Sequence, residues 1–292
     1  MTLAAAVDGF LDFEFHVRGI APTSAKLYGF YLRHFARLSG HNVALSASWR
    51  APEAFLSDLS RRGCGDHARA KAFQILRAFY RWAADHGLCT GNPLASSRPP
   101  IIHQTRRHFL TPAEVERLIE TARRRGGSHA ERDAALLATL YYGGLRVGEA
   151  IKLRPEDADL QEGVMTVLGK GGKVAHVPLH PKLIAVLRHW MRVRPQGAAR
   201  LFPSMPAGKD YFGALDNPRV ELLLREVYGP AAGLAGRVTP HVLRRSFATH
   251  LRARGVPLEH VRRLLRHSSI ETTMLYLREA GISDLRSSLG KL

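Results

Sequence analysis

Six residues of this 292-residue chain have the side chains that phosphoryl transfer asks for: Arg146, Lys170, His241, Arg244, His267 and Tyr276. Cleaving a phosphodiester by transfer needs a nucleophile, cations on the non-bridging oxygens and an acid for the leaving oxygen. Arg146 stands in GLRVGEAIKL, just after the Gly143–Gly144 break. Glu149 follows three residues later on the same predicted helical face, where it can hold the guanidinium. Lys170 sits at the rim of a predicted hairpin turn, and Lys173 competes with it across that turn. His241 and Arg244 share one face of the helix that TPHVLRRSFATHL opens, either solvated or holding an anion between them. LLRHSSIETTMLYL then supplies His267 and, further on, Tyr276. Read alone, each has a plain structural explanation: a tyrosine on an amphipathic helix is ordinarily half-buried core, and Glu149 a surface partner.

The charge points to a polyanion. Lys and Arg number 43 against 25 Asp and Glu, a net charge of +18. Residues 1–98 carry +5 of this and the remainder +13, so the excess is no basic tail. Nucleic acid is the commonest partner of such a chain. A GC-rich genome explains the preference for arginine over lysine, but not the excess itself. A two-metal carboxylate cluster and a GxxxxGK[ST] phosphate loop are both missing, so side chains must do any chemistry. Cys64 and Cys89 suit neither a metal knuckle nor a disulfide framework and read as reduced thiols. His176 and His180 are separated by Pro178, which argues against a metal site; no cofactor is expected. The start, MTLAAAVDGFLDFEF, lacks the basic region of a signal peptide. No apolar run reaches the roughly 20 residues of a membrane span, and a cytoplasmic location is expected.

The order Arg, Lys, His-x-x-Arg, His, Tyr resembles that of the tyrosine recombinase (phage integrase) family. GLRVGEAIKL is similar to its first arginine box, HVLRRSFATHL to its second, and LLRHSSIETTMLYL to its histidine-to-tyrosine segment. The likeness is strong over about 109–282 and weaker over the N-terminal part, where it rests on helix pattern and the GNPL before the linker. It implies that Tyr276 attacks the scissile phosphate, leaving a 3′-phosphotyrosyl bond and a free 5′-hydroxyl. Arg146 and Arg244 would clamp the non-bridging oxygens, a role suited to the guanidinium fork. Lys170 would protonate the leaving oxygen, His241 assist proton transfer and His267 hydrogen-bond the phosphate, with no metal or ATP. The resemblance further implies a simple Xer-like recombinase of the bacterial nucleoid. Four protomers, identical or shared with a sister recombinase, would act on duplex DNA in chromosome dimer resolution or mobile-element integration. The final stretch resembles the tail that the family docks into a neighbouring protomer; packing on its own domain is an equal alternative. Two rivals stand beside this reading: a non-catalytic DNA-binding scaffold of the same fold, and a type IB topoisomerase that relaxes DNA without site choice.

The elements that must position these residues are mostly helices. Apolar spacing predicts a bundle of four or five helices over 1–92, a SAM-like core-binding domain in the family's terms. Lys26, Arg33, Lys71 and Arg77 lie off its apolar stripes and are candidate DNA contacts, with Lys173 and Arg245 in the second half. Residues 93–108, rich in Pro, Ser and basic residues, read as a linker. A mixed α/β catalytic domain is expected over 109–292, opening on a Thr111–Glu114 capping box with Pro112 at the first helical position. GVMTVLGKGGKVAHVPL reads as two strands joined by a two-residue turn at Gly171–Gly172. Helices are expected at 181–192, 217–228, 240–254, 257–266 and 270–278. The fold class is thus mainly α with a small antiparallel sheet. Two departures from the family pattern stand out. Arg266 occupies the position before His267 where glycine is common, so the backbone there either stays right-handed or accepts strain. Arg245 stands where histidine is frequent and adds another cation beside the phosphate.

Overall fold

The computed structural model describes residues 1–41, 43–46, 48–103, 108–126, 129–169, 172–205 and 213–266. Lys170, His267, Tyr276, the expected helix at 270–278 and the tail lie outside them. The chain divides into two compact units, Met1–Thr105 and Arg106–Leu292.

In the first unit, α1 (Leu3–Asp12) runs into a π-helical turn at Phe13–Val17, followed by α2 (Pro22–Ser39), α3 (Arg50–Arg61) and α4 (Asp66–Asp85). Apolar side chains recur at helical spacing along α4, where Phe73, Leu76, Phe79, Tyr80 and Ala83 are all buried. They meet Phe10 of α1 and Leu32 and Phe35 of α2 in one core. The Phe10 and Phe79 rings pack edge to face with centroids 5.7 Å apart, an arrangement that adds to simple area burial.

The second unit opens with α5 (Pro112–Arg124), whose cap is reciprocal. The Glu114 N–H donates to Thr111 Oγ1 at 3.2 Å, and the Thr111 N–H donates to Glu114 Oε2 at 2.7 Å. α6 (Ala130–Tyr142) is buried on nearly every side and packs against α5, α8 and α11. That burial includes the charged pair Arg132 and Asp133. The Arg132 Nε–H donates to Asp133 at 2.8 Å, its Nη1–H to the Pro203 carbonyl at 2.9 Å, and the Tyr228 hydroxyl donates to Asp133. Buried charges persist only with such a full set of partners.

After α6 come the single helical turn α7 (Val147–Ala150) and a three-stranded antiparallel sheet in the order β1 (Ala158–Asp159), β2 (Val164–Leu168), β3 (Val174–Pro178). Met165 and Val167 alternate inward on β2, the two-residue period of a half-buried strand. Leu168 pairs with Val174, and the Gly169 N–H still donates to the Lys173 carbonyl at 2.7 Å. This register sets Gly169 opposite Lys173, one position off the pairing of Lys170 with Lys173 that a two-residue turn at Gly171–Gly172 requires. α8 (Pro181–Val193) packs against α6, and β4 (Pro203–Ser204) pairs with β5 (Gly213–Ala214). α9 (Asn217–Leu222) continues into a π-helical stretch, Leu223–Tyr228, where one continuous α-helix was expected. The short α10 (Gly229–Ala231), α11 (Pro240–Ala253) and α12 (Leu258–Leu265) complete the described chain.

Candidate active site

Three chain ends converge in the second unit: the break after α6, the start of α11 and the end of α12. Gly143 and Gly144 make the first possible. Gly144 has φ +55, and a Cβ there would meet the Phe247 ring at 2.6 Å; one at Gly143 would meet the Thr139 carbonyl at 2.8 Å. Only glycine lets the chain turn so tightly against α11. The Gly144 carbonyl accepts from Arg244 Nη1–H at 2.6 Å, and the Leu265 carbonyl at the end of α12 accepts from Arg244 Nη2–H. Arg244 is 1 % exposed.

Arg146 caps α7. Its backbone N–H donates to Glu149 Oε2 at 2.9 Å and its Nη1–H to Glu149 Oε1 at 2.8 Å. Unlike Arg244, its side chain is 43 % exposed. Glu149 itself is buried and gathers more than Arg146: Arg244 Nη1 lies 3.9 Å and Arg266 Nη2 2.7 Å from Oε2. Burial pushes the Glu149 carboxyl up, but the charge of Arg266 and the hydrogen bonds from Arg146 outweigh it and hold the group below the usual carboxylate range. One carboxylate among three guanidiniums leaves a surplus of positive charge, as a site for an anion requires.

His241 stands at the start of α11, whose N-cap is Thr239, with the Val242 N–H donating to Thr239 Oγ1 at 3.2 Å. Its imidazole is pushed below the usual histidine range by burial, then by Arg244, Arg245 and Arg146, with Glu221 opposing. The residue retains an exposed surface, and the neighbouring cations disfavour its charged form. A neutral imidazole beside guanidiniums is a proton acceptor at neutral pH.

The structure thus brings Arg146, Glu149, His241 and Arg244 together. The DNA-contact candidates are scattered. Lys26 and Arg33 are exposed on α2, Lys71 and Arg77 on α4, and Lys173 is exposed before β3. Arg77 also braces its own surroundings, since its Nη2–H donates to the Ala95 carbonyl and its own carbonyl accepts from Asn92 Nδ2–H, both at 3.0 Å. Arg245 Nη1–H reaches the His108 carbonyl at 3.4 Å. Arg266 turns its guanidinium inward onto Glu149, a role its sequence position before His267 did not reveal. The signal in the sequence was only that a long cation replaced a small residue.

The phage integrase family profile matches residues 108–281, well over half of the chain. The chain belongs to the phage integrase family. This tyrosine recombinase is 33 % identical to the tyrosine recombinase XerC of Proteus mirabilis over 94 % of its own length and 89 % of that protein. To the tyrosine recombinase XerD of Caulobacter vibrioides it is 32 % identical, over 95 % of its length and 92 % of that protein. Its fold is similar to that of the Tn1549 transposon integrase solved in complex with circular intermediate DNA, with a TM-score of 0.76, 17 % identity and coverage of 100 % and 99 % of the two chains. The recombinase has, among the described residues, no helix long and apolar enough to cross a membrane.

Proposed function

We infer that this site-specific recombinase cuts and rejoins duplex DNA through a phosphotyrosyl bond at Tyr276. The observation that carries the reading is the cluster in which Glu149 holds Arg146 while Arg244 lies 3.9 Å from the same carboxylate. Arg146, the more open guanidinium, contacts a non-bridging oxygen of the scissile phosphate. Arg244, fixed on two backbone carbonyls, supplies the second cation from a low-dielectric position where its field acts strongly. The Tyr276 oxygen attacks phosphorus and the bond to the 5′-oxygen breaks. Neutral His241 assists removal of the tyrosyl proton, Lys170 gives a proton to the leaving oxygen, and His267 hydrogen-bonds the phosphate. The phosphotyrosyl bond conserves the energy for religation, so neither ATP nor a metal is consumed.

The first unit serves as the core-binding domain and the second as the catalytic domain, with four protomers acting on two sites. Full-length similarity to XerC and XerD supports the simple Xer type. Covalent capture tests the whole reading. Genomic DNA of the source cell is mixed with wild type or Tyr276→Phe, denatured in detergent, and the DNA still bound to protein is sequenced. Discrete loci attached to wild type alone are expected. One chromosomal locus assigns dimer resolution, and the ends of a mobile segment assign integration. Equal recovery with both proteins would sink the Tyr276 assignment. Relaxation of a plasmid that lacks any captured locus would favour topoisomerase action instead.

A further inference from the structure

Arg266 leaves α12 in the left-handed conformation, at φ 53 and ψ 42. Every other residue of positive φ among those described is a glycine. A long side chain accepts that backbone only where its surroundings over-determine it, and here the determinants are visible. Arg266 Nη2–H donates to Glu149 Oε2 at 2.7 Å and approaches the Gly144 carbonyl at 3.4 Å, while Nη1–H donates to the Leu264 carbonyl at 2.9 Å. Its side chain is 12 % exposed, and its Nε is buried with no hydrogen-bond partner among the described residues. The guanidinium is spent inside the protein. Arg244 approaches the same two groups, bonding the Gly144 carbonyl and lying 3.9 Å from the Glu149 carboxylate.

We propose that Arg266 is a positioning residue of the active site: it clamps Glu149 to the end of α12 and thereby fixes the Arg146–Arg244 pair. The proposal rests on the reading of that pair as the phosphate clamp. Without Arg266, Glu149 keeps only its two bonds from Arg146, and Arg244 becomes the remaining side-chain cation for Oε2. The carboxylate would then compete with phosphate for the guanidinium. With Arg266 in place, Oε1 of Glu149 accepts from Arg146 Nη1–H and Oε2 from both Arg266 and the Arg146 backbone N–H, and Arg244 remains at ion-pair distance, 3.9 Å away. The left-handed turn serves the same end, because it follows directly on the Leu265 carbonyl that accepts from Arg244.

The test is single-turnover cleavage of a nicked duplex carrying a locus recovered by covalent capture. Wild type is compared with Arg266→Gly, Arg266→Lys, Glu149→Gln, Arg146→Ala and the double variant Arg266→Gly/Glu149→Gln. Glycine is at ease in the left-handed backbone, so Arg266→Gly isolates the loss of the guanidinium. Its cleavage rate should fall by about 10- to 100-fold, with DNA affinity within roughly twofold of wild type. Arg266→Lys, which keeps the charge but reaches fewer acceptors, should recover part of the rate. If Arg266 acts through Glu149, the double variant is no slower than Glu149→Gln alone. Wild-type cleavage by Arg266→Gly, beside loss in Arg146→Ala, would overturn the role of Arg266 and leave the clamp standing. Multiplying effects of the two substitutions would show that Arg266 acts independently of Glu149, and so also overturn it. Normal cleavage by Arg146→Ala would remove the clamp reading and this proposal together.

Discussion

Glu149 and His241 shift in ways that can be read out separately. Glu149 is held below its ordinary range, so its ion pairs are complete at neutral pH and are lost as pH falls through the lowered value. The stability difference between wild type and Glu149→Gln should therefore be largest near pH 7. It should close as pH falls below about 4, the ordinary carboxylate value. Thermal unfolding across that range checks this, and a gap that stays constant with pH means Glu149 is not ionised against its arginines. His241 is also lowered, by burial and by Arg244, Arg245 and Arg146, with only Glu221 opposing. Cleavage that uses the neutral imidazole should then be level through pH 7 and decline only below the usual histidine value of about 6.5. A decline that begins at higher pH contradicts that direction.

At the level of elements, the site depends on how tightly the end of α6 can turn past α11. Gly144→Ala adds a Cβ that meets Phe247 at 2.6 Å in a left-handed backbone. The substitution should cost about 1–3 kcal/mol of stability and slow cleavage, because the Gly144 carbonyl it displaces is an acceptor of Arg244. Denaturant unfolding together with a cleavage assay measures both, and an unchanged midpoint would mean the turn has room to relax. The first unit should respond differently. Phe79→Ala opens a cavity beside Phe10 and Tyr80 and should destabilise that unit by about 3–5 kcal/mol. The guanidinium cluster lies wholly in the second unit and is left untouched.

For the whole molecule, the surplus of +18 spread over both units governs how it meets DNA. Neutralising roughly six to ten phosphates should lower affinity by about 10³ to 10⁵ between roughly 50 and 200 mM salt. A filter-binding titration gives the slope directly; a flat response would mean that the surplus does not face DNA. Several arginines are occupied inside the protein, Arg77, Arg132 and Arg244 donating to backbone carbonyls and Arg266 to a carboxylate. The measured slope therefore reports how many cations remain for the polyanion.

What the sequence determined by itself was local or ordered along the chain. The capping box at Thr111, the helical stripes of α4 and the glycine break before Arg146 need only neighbours within a turn or two, and short-range sterics and hydrogen bonding decide them. The family was legible for a related reason: the spacing of Arg146, Lys170, His241, Arg244, His267 and Tyr276 is a linear pattern. Tertiary structure decided what depends on distant partners. α6 looks like an ordinary helix until α5, α8 and α11 bury it on all sides and force Arg132 and Asp133 to pair. The β2–β3 register is one position off the one its paired glycines suggest, because cross-strand pairing along the whole ladder sets it and not the turn residues alone. Arg266 read as a misfit in a glycine position. Only the meeting of the glycine break, α7 and the end of α12 supplies the carboxylate and carbonyls that hold its guanidinium, across more than a hundred residues of chain from Glu149.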